Sequence, residues 1–559
     1  MTIRDYMDNA VKNYPDAPAQ KFYENGEWRV RSYAEFQSRV VRASSLVRDL
    51  RITPVVHNVA LMLENCPEWE EIYLGLVSVG YTVVPMDPKF KEREVHHILK
   101  DSAAAGIVVG AKQQDVIAKA IKMGLPELKV CVVVGKGTLA DFGEGCKGYL
   151  YEDAMAKAVD DEKSRKWYND NKPGDESLAS LIYTSGTTGV PKGAMLTHAN
   201  FTSNADSAVQ AEGFYSDDSF LVALPLFHAF SFSFSFILAL ACGGCGLFIR
   251  SLRTISEDIR ILQPTTILAV PLMAEKMYAK IEDKLSASKA VKVMRALGLS
   301  FIVNRGVRKA FGGKLRRMAI GGAPTSGKVL EGFAKFGMPA KEGYGLTECS
   351  PLVSWPGKNV DYKIGTVGPI LPCMQYKLVD KDSTGAGELC VKGPNVTQGY
   401  FKNPEATKEA FDDEGFFRTG DVARIDEKGN LSICGRRKAL IVNREGKNIY
   451  PEEIEQVVNR MEDIAESLSL GYHVEGEVGE YVGLIVQPNE ETFPSLGATQ
   501  EEREAALRDK LAALCKERLA EYKIPRKVIF RYEPFELTST MKVRRGVYKG
   551  SLDELGAKK

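Results

Sequence analysis

A chain of 559 residues is too long for one ordinary core, so at least two domains are expected. A 44% hydrophobic content beside 26% charged residues reads as soluble and globular, and a net charge of +1 gives no reason to propose a nucleic-acid partner. No block of like charge marks a polybasic or acidic tail, and ten scattered cysteines fit reduced thiols better than a disulfide framework.

The first ten residues, M-T-I-R-D-Y-M-D-N-A, carry two aspartates and no apolar core, so they do not read as a secretory signal; residence in the cytoplasm is the default expectation. Short apolar or β-branched runs follow at Val59–Met62, Tyr81–Pro85, Gly106–Val109 and Val130–Val134, separated by helical stretches. That βαβ rhythm implies an α/β fold with parallel sheet and helices on its faces. Gly145–Ser177 is polar and charged and reads as a connector.

Tyr183 to Asn200 reads Y-T-S-G-T-T-G-V-P-K-G-A-M-L-T-H-A-N. Glycines let a backbone approach an anion, Ser and Thr add neutral donors, and Lys192 adds one compact positive charge, which together suit a triphosphate. The P-loop pattern fails here: with the register started at Gly186, Pro191 stands where the second glycine belongs and Gly193 where the metal-binding hydroxyl belongs. The plainer reading is a polar turn between a strand and its successor.

Phe230–Ile249 runs about twenty residues without a charge, the length that spans a bilayer. Serines alternate with Phe232, Phe234 and Phe236, and glycines 243, 244 and 246 interrupt the second half. A buried helix passing into a buried strand is therefore expected, near a substrate tunnel. Cys242 and Cys245 form a lone C-x-x-C with no second pair, a poor basis for zinc or redox chemistry. Beyond Gly435 the pattern changes to a helix over Pro451–Met461, a strand over Tyr481–Val486 and a charged helix over Glu501–Tyr522, consistent with a compact α+β unit.

The loop at 183–200 resembles the phosphate-binding signature of the adenylate-forming enzymes, which include acyl-CoA synthetases, luciferases and peptide-synthetase adenylation domains. The likeness continues in chain order through L-P-L-F-H-A-F at Leu224–Phe230, G-G-A-P at Gly321–Pro324, G-Y-G-L-T-E at Gly343–Glu348 and F-R-T-G-D at Phe417–Asp421. It ends with G-R-R-K-A-L-I at Gly435–Ile441, Y-P-E-E-I-E at Tyr450–Glu455 and Lys542 in T-S-T-M-K-V-R-R. The fold implied is a large N-terminal domain of layered βαβ subdomains, residues 1–436, and a small mobile α+β domain, residues 437–559.

The resemblance also implies roles. Thr184, Ser185, Gly186, Thr187, Thr188, Gly189 and Lys192 would hold the β- and γ-phosphates of ATP, with Glu348 and Thr184 on Mg²⁺. Tyr344, between Gly343 and Gly345 and followed by Leu346 and Thr347, would stack on adenine, with Gly321, Gly322, Ala323 and Pro324 as another wall. Asp421 would accept from the ribose hydroxyls, and Arg436 would touch ribose or phosphate. Lys542 would stabilise the charge that develops in adenylate formation, with Lys192 and His228 also at the reacting end. Lys438 would be the hinge and Gly446 would line the pantetheine path of CoA. Two departures stand out: Met541 replaces the usual glycine before Lys542, and Ala439 follows the hinge where an acidic residue is common.

A spacer at Ile281–Arg317 resembles long-chain fatty acyl-CoA synthetases more than peptide-synthetase domains, and the phenylalanines after His228 argue against a highly polar acid. A medium- or long-chain fatty acid with CoA as acceptor is the expected pairing. An aryl-CoA ligase, a fatty acyl-[acyl carrier protein] synthetase and a silent nucleotide-binding protein remain open, as do homodimerisation and peripheral attachment at the inner face of a membrane.

Overall fold

The computed structural model describes residues 1–49, 58–184, 191–444, 447–474, 479–536, 543–548, 550 and 552. Two seven-stranded sheets dominate it. The first runs in spatial order Ala340–Glu342, Arg317–Ile320, Thr266–Ala269, Ser219–Val222, Cys245–Phe248, Pro18–Glu24 and Glu27–Ser32, parallel except for the last hairpin. The second runs Lys147–Leu150, Val130–Val134, Gly106–Gly110, Asn58–Met62, Thr82–Pro85, Leu178–Thr184 and Lys192–Thr197, again parallel except at its final pair.

The twofold period of the strands sorts their side chains between layers. In the second sheet Ala60, Met62, Ile107, Val109 and Val133 face one cluster with Val95, Ile98, Leu99 and Ile117 from two covering helices. Val59, Leu61, Val108 and Val132, their immediate neighbours, face the other way. The first sheet divides likewise: Leu221, Leu247, Ile267 and Ile320 face an outer cluster, while Phe220, Val222, Phe248 and Ala319 join Val59 and Leu61. One core, filled by helices Ile3–Asn13, Tyr33–Asp49, Pro67–Val77 and His198–Glu212, therefore lies between the sheets.

The uncharged run is buried as a helix and then a strand: Ala229–Ser231, Phe232–Ile237 and Leu238–Cys242 are consecutive helical pieces, and Cys245–Phe248 is a central strand. Among the described residues no helix is long and apolar enough to cross a membrane. The thiols of Cys242 and Cys245 are both pushed up to about 12 by burial.

Residues 145–177 are more than a connector. Lys147–Leu150 is an edge strand and Tyr151–Lys157 and Glu162–Asp170 are helices, because Tyr151, Met155 and Tyr168 reach the central core from an otherwise charged segment. A four-stranded antiparallel sheet, Gln375–Val379, Gly387–Lys392, Phe417–Ile425 and Leu431–Arg436, follows the two large sheets. The chain then turns at Arg437–Ala439 into a unit built on Ile464–Tyr472, Tyr481–Pro488 and Lys527–Phe530, with helices Pro451–Val458 and Gln500–Arg518. The helix Gln500–Arg518 stops short of the expected Tyr522, and Leu519 caps it in an extended conformation.

Candidate functional site

The motif loops leave the carboxyl ends of parallel strands, where open α/β sheets bind ligands. Gly321–Pro324 follows Arg317–Ile320, and Gly343–Glu348 follows the adjacent strand Ala340–Glu342. Gly343 N–H donates to the Ile320 carbonyl (2.9 Å), and the Glu342 carboxylate accepts from Thr325 N–H (2.6 Å), so the two loops are tied to each other. Gly322 has φ +92, a backbone conformation that favours glycine. A Cβ at Gly345 would collide with the Pro351 carbonyl, so glycine is required beside Tyr344.

Tyr344, Asp421 and Arg436 form one hydrogen-bonded group. The Tyr344 hydroxyl donates to Asp421 Oδ2 (2.5 Å), and Arg436 Nε sits 2.7 Å from Asp421 Oδ1. Asp421 and Arg436 are register partners on neighbouring strands, so backbone pairing sets their approach. Gly420, at φ +70, makes the bend of the T-G-D segment, and Asp421 N–H donates to Thr419 Oγ1 (3.1 Å). Burial, and then the charge of Asp421, hold the Tyr344 hydroxyl protonated well above its ordinary value. An ionised carboxylate has about four acceptor positions, so Asp421 can serve Tyr344 and Arg436 together.

The hydroxyl-rich loop joins two antiparallel strands. Thr184 and Lys192 are register partners on those two strands, whereas a P-loop leads from a strand into a helix. Ser185, Gly186, Thr187, Thr188 and Gly189 lie outside the described residues, as do Gly446 and Lys542. The T-H-A-N tail of the same motif starts a helix: Thr197 Oγ1 accepts from Asn200 N–H (3.1 Å) and Asn200 Oδ1 accepts from Thr197 N–H (2.8 Å), a reciprocal capping box.

Glu348 and Lys192 meet through a residue that the motif reading missed. The Tyr400 hydroxyl donates to Glu348 Oε1 (2.9 Å), and Lys192 Nζ lies 5.5 Å from the centre of the Tyr400 ring. The backbone fixes this arrangement: Phe401 N–H donates to the Gly193 carbonyl (2.8 Å) and Met195 N–H to the Gly399 carbonyl (2.9 Å). Burial, and then Glu348, raise the Tyr400 hydroxyl well above its usual range. The available signal was G-Y-F-K-N-P at 399–404, where Asn403 caps a helix that starts with Pro404.

Thr184 and Glu348 offer a hydroxyl and a carboxylate, hard oxygen donors that suit Mg²⁺ held jointly with phosphates. Among the described residues no cluster of three or more His, Cys, Asp or Glu forms a protein-only metal cage. The donor set thus fits a metal that arrives with a nucleotide.

The apolar side divides the phenylalanines by helical face. Phe232 and Phe236 pack on Trp69 and Tyr73 in the central core. Phe230 and Phe234, with Ser233, Asn204, Ala205 and Pro351, line a cavity of ≈10 Å³. That is room for about one water. The Phe230 ring lies where a Cβ on Gly321 would be, 2.8 Å from its Cζ, so the apolar lining and the G-G-A-P wall share a contact. His228 precedes this helix and its Nδ1 accepts from Phe230 N–H (3.4 Å). Lys438 is exposed in the turn Arg437–Ala439, whose Arg437 pairs with Glu388 and with Asp380 (2.9 Å).

Fold and site together define a nucleotide-dependent enzyme of the adenylate-forming architecture. The chain belongs to the family described as AMP-binding enzyme, whose model matches residues 7–401. It is 31% identical over 553 residues to a protein of Salmonella typhimurium named long-chain-fatty-acid–CoA ligase, covering 95% of this chain and 91% of that one. A protein of the same name from Escherichia coli is 32% identical over the same shares. Among solved structures, ATP-bound MatB from Rhodopseudomonas palustris is similar with a TM-score of 0.78 and 25% identity, each chain covered in full.

Proposed function

We propose that the chain activates a medium- or long-chain fatty acid in two steps, using ATP and then CoA. A carboxylate oxygen attacks the α-phosphorus and pyrophosphate leaves, giving an acyl-adenylate; the thiol of CoA then attacks the acyl carbon and AMP leaves. The observation that carries this reading is the Tyr344–Asp421–Arg436 group, in a chain that aligns over 95% of its length with a long-chain-fatty-acid–CoA ligase.

In this reading Asp421 accepts from the ribose hydroxyls while orienting the Tyr344 ring against adenine, and Gly321–Pro324 closes the opposite side. Thr184 to Gly189 and Lys192 hold the β- and γ-phosphates, which makes the hairpin loop the holder of the leaving group. Bound Mg²⁺ would neutralise phosphate charge, held by Glu348 and Thr184, and Tyr400 fixes the Glu348 carboxylate. Lys542 supplies the cation for charge developing at the α-phosphoryl and acyl oxygens. His228 ends the apolar lining at the reacting carboxylate.

The same proposal divides the chain at Arg436, with residues 437–559 rotating about Lys438 so that Gly446 replaces Lys542 near the acyl-adenylate. Lys438→Pro should then spare adenylate formation and slow thioester formation by about tenfold or more. Equal loss in both steps would contradict the hinge. Because the proposed acid is a lipid, a site of action at a membrane surface belongs to the same reading.

Chromatography of the products tests the reaction directly. Equal amounts of acyl-CoA and AMP are expected from fatty acid, ATP and CoA. Thioester formed only with holo-acyl carrier protein would move the chain to a different acceptor, and product formed only from aryl acids would move it to a different acid.

A further inference from the structure

The forty-seven residues from Lys284 to Leu330 contain eleven Lys and Arg and no Asp or Glu. The bias escapes a search for charge blocks because the basic residues are spaced by one to eleven positions. Helices Pro271–Ala287, Lys289–Ala296 and Ser300–Ala310 form an excursion on the outer face of the first sheet. Its inner side is satisfied: Val307 and Phe311 are buried in the outer cluster, with Met273, Met277, Tyr278 and Ile281 packed against it, and Val303 is buried as well.

The outer side is apolar without need from the core. Val293, Leu297 and Phe301 are 57%, 68% and 66% exposed, and Ile302 is 44% exposed. Four large apolar side chains within ten residues of sequence form a cluster, unlike the scattered exposed hydrophobics elsewhere. Lys284, Lys289, Lys292, Arg305, Arg308, Lys309 and Lys314 are exposed along the same stretch of chain, and among the described residues none of these seven has a carboxylate within ion-pair distance. Arg295 has one, Glu282, at 3.7 Å.

We propose that this face, Lys284 to Lys314, docks the protein on an anionic lipid surface, with Val293, Leu297, Phe301 and Ile302 entering the headgroup boundary and the cations of the same stretch meeting lipid phosphates. Exposed apolar side chains interspersed with Lys and Arg on short helices are what an interfacial segment requires, since apolar burial and attraction to anionic lipids add. Charge complementarity selects the lipid: an excess of cations, of which only Arg295 is paired, with Glu282, gives no advantage on a neutral bilayer. Docking gives the proposed fatty acid substrate a source, and in that respect it rests on the fatty acid reading.

Co-sedimentation of the full chain with vesicles tests it. Binding is expected to vesicles of phosphatidylcholine mixed with phosphatidylglycerol, weakly or not at all to phosphatidylcholine alone, and to fall as salt is raised. Leu297→Asp with Phe301→Asp, and separately Lys289→Glu with Lys292→Glu, Arg305→Glu and Lys309→Glu, should each lower anionic-vesicle binding by about tenfold or more. Pyrophosphate release with octanoate, which needs no membrane, should be unchanged in both variants, and this readout shows that they are folded. Equal binding of the wild type to both vesicle types, absence of binding to either, or variants that bind like the wild type would overturn the proposal. So would loss, in these variants, of binding to an acidic protein such as holo-acyl carrier protein while vesicle binding persists. If octanoate fails to release pyrophosphate in the wild type but vesicle binding behaves as expected, the docking face stands and the catalytic reading fails.

Discussion

The nucleotide side and the apolar side of the site are built differently. On the first, polar side chains hold one another: Tyr344 and Arg436 share Asp421, and Tyr400 links Glu348 to Lys192. On the second, rings and small residues enclose ≈10 Å³, with Phe230 and Phe234 6.2 Å apart between ring centres. A polar group specified by directed bonds has few substitutes, whereas an apolar lining is specified mainly by volume. One side is therefore suited to a fixed ligand and the other to variation.

Changes on the nucleotide side should cost the most. Lys542→Ala is expected to lower fatty acid-dependent ATP–pyrophosphate exchange by about a hundredfold or more, the usual loss for one charge-stabilising donor. Unaltered exchange would remove Lys542 from the first step. Tyr400→Phe keeps the ring beside Lys192 and removes only the hydroxyl on Glu348, so about a tenfold drop in kcat/KM is expected, with a raised Mg²⁺ requirement. If kcat/KM and the Mg²⁺ dependence both stay as in the wild type, Tyr400 is a packing residue.

The apolar side should respond in preference rather than in rate. Phe234→Ala enlarges the cavity without touching the Tyr344–Asp421–Arg436 group, so kcat/KM should shift by several-fold toward bulkier or longer acids while KM for ATP holds. A matching change in KM for ATP would mean that the two sides are not separable.

The smallest effect concerns the scaffold under the phosphate hairpin. His198 is buried, its Nδ1 accepts from Ile3 N–H (3.3 Å), and burial lowers its pKa from 6.5 to about 4. Between those values the unfolded chain binds the extra proton, so stability falls as pH drops from 6.5 toward 4, by at most about 3 kcal/mol. His198→Asn keeps an acceptor for Ile3 and has no proton to gain. Its melting temperature should therefore fall less than that of the wild type over this pH window; parallel curves would assign the acid sensitivity to other groups.

The same contrast explains what could be read from the chain. The strands at 58–62, 82–85, 106–110 and 130–134 were legible because each is a short β-branched run between helices. G-Y-G-L-T-E and T-G-D were legible because glycine, aromatic and carboxylate occur in fixed local order, although their meeting through Asp421 needed strand register. Tyr400 was not, since its partners lie 52 residues away at Glu348 and still further away along the chain at Lys192, the start of the strand it bridges. Nor could alternation in F-S-F-S-F separate Phe234 from Phe232 and Phe236, because only a helical winding sends them to different faces. The segment at 145–177 hid its buried positions among charges, and the basic excursion hid a face in its spacing.

Pyrophosphate release measured across fatty, aryl and amino acids, with and without CoA, tests the central claim most directly. Release with fatty acids of medium or long chain, little with aryl or amino acids, and acceleration by CoA is the expected result. No release with any carboxylic acid would contradict it.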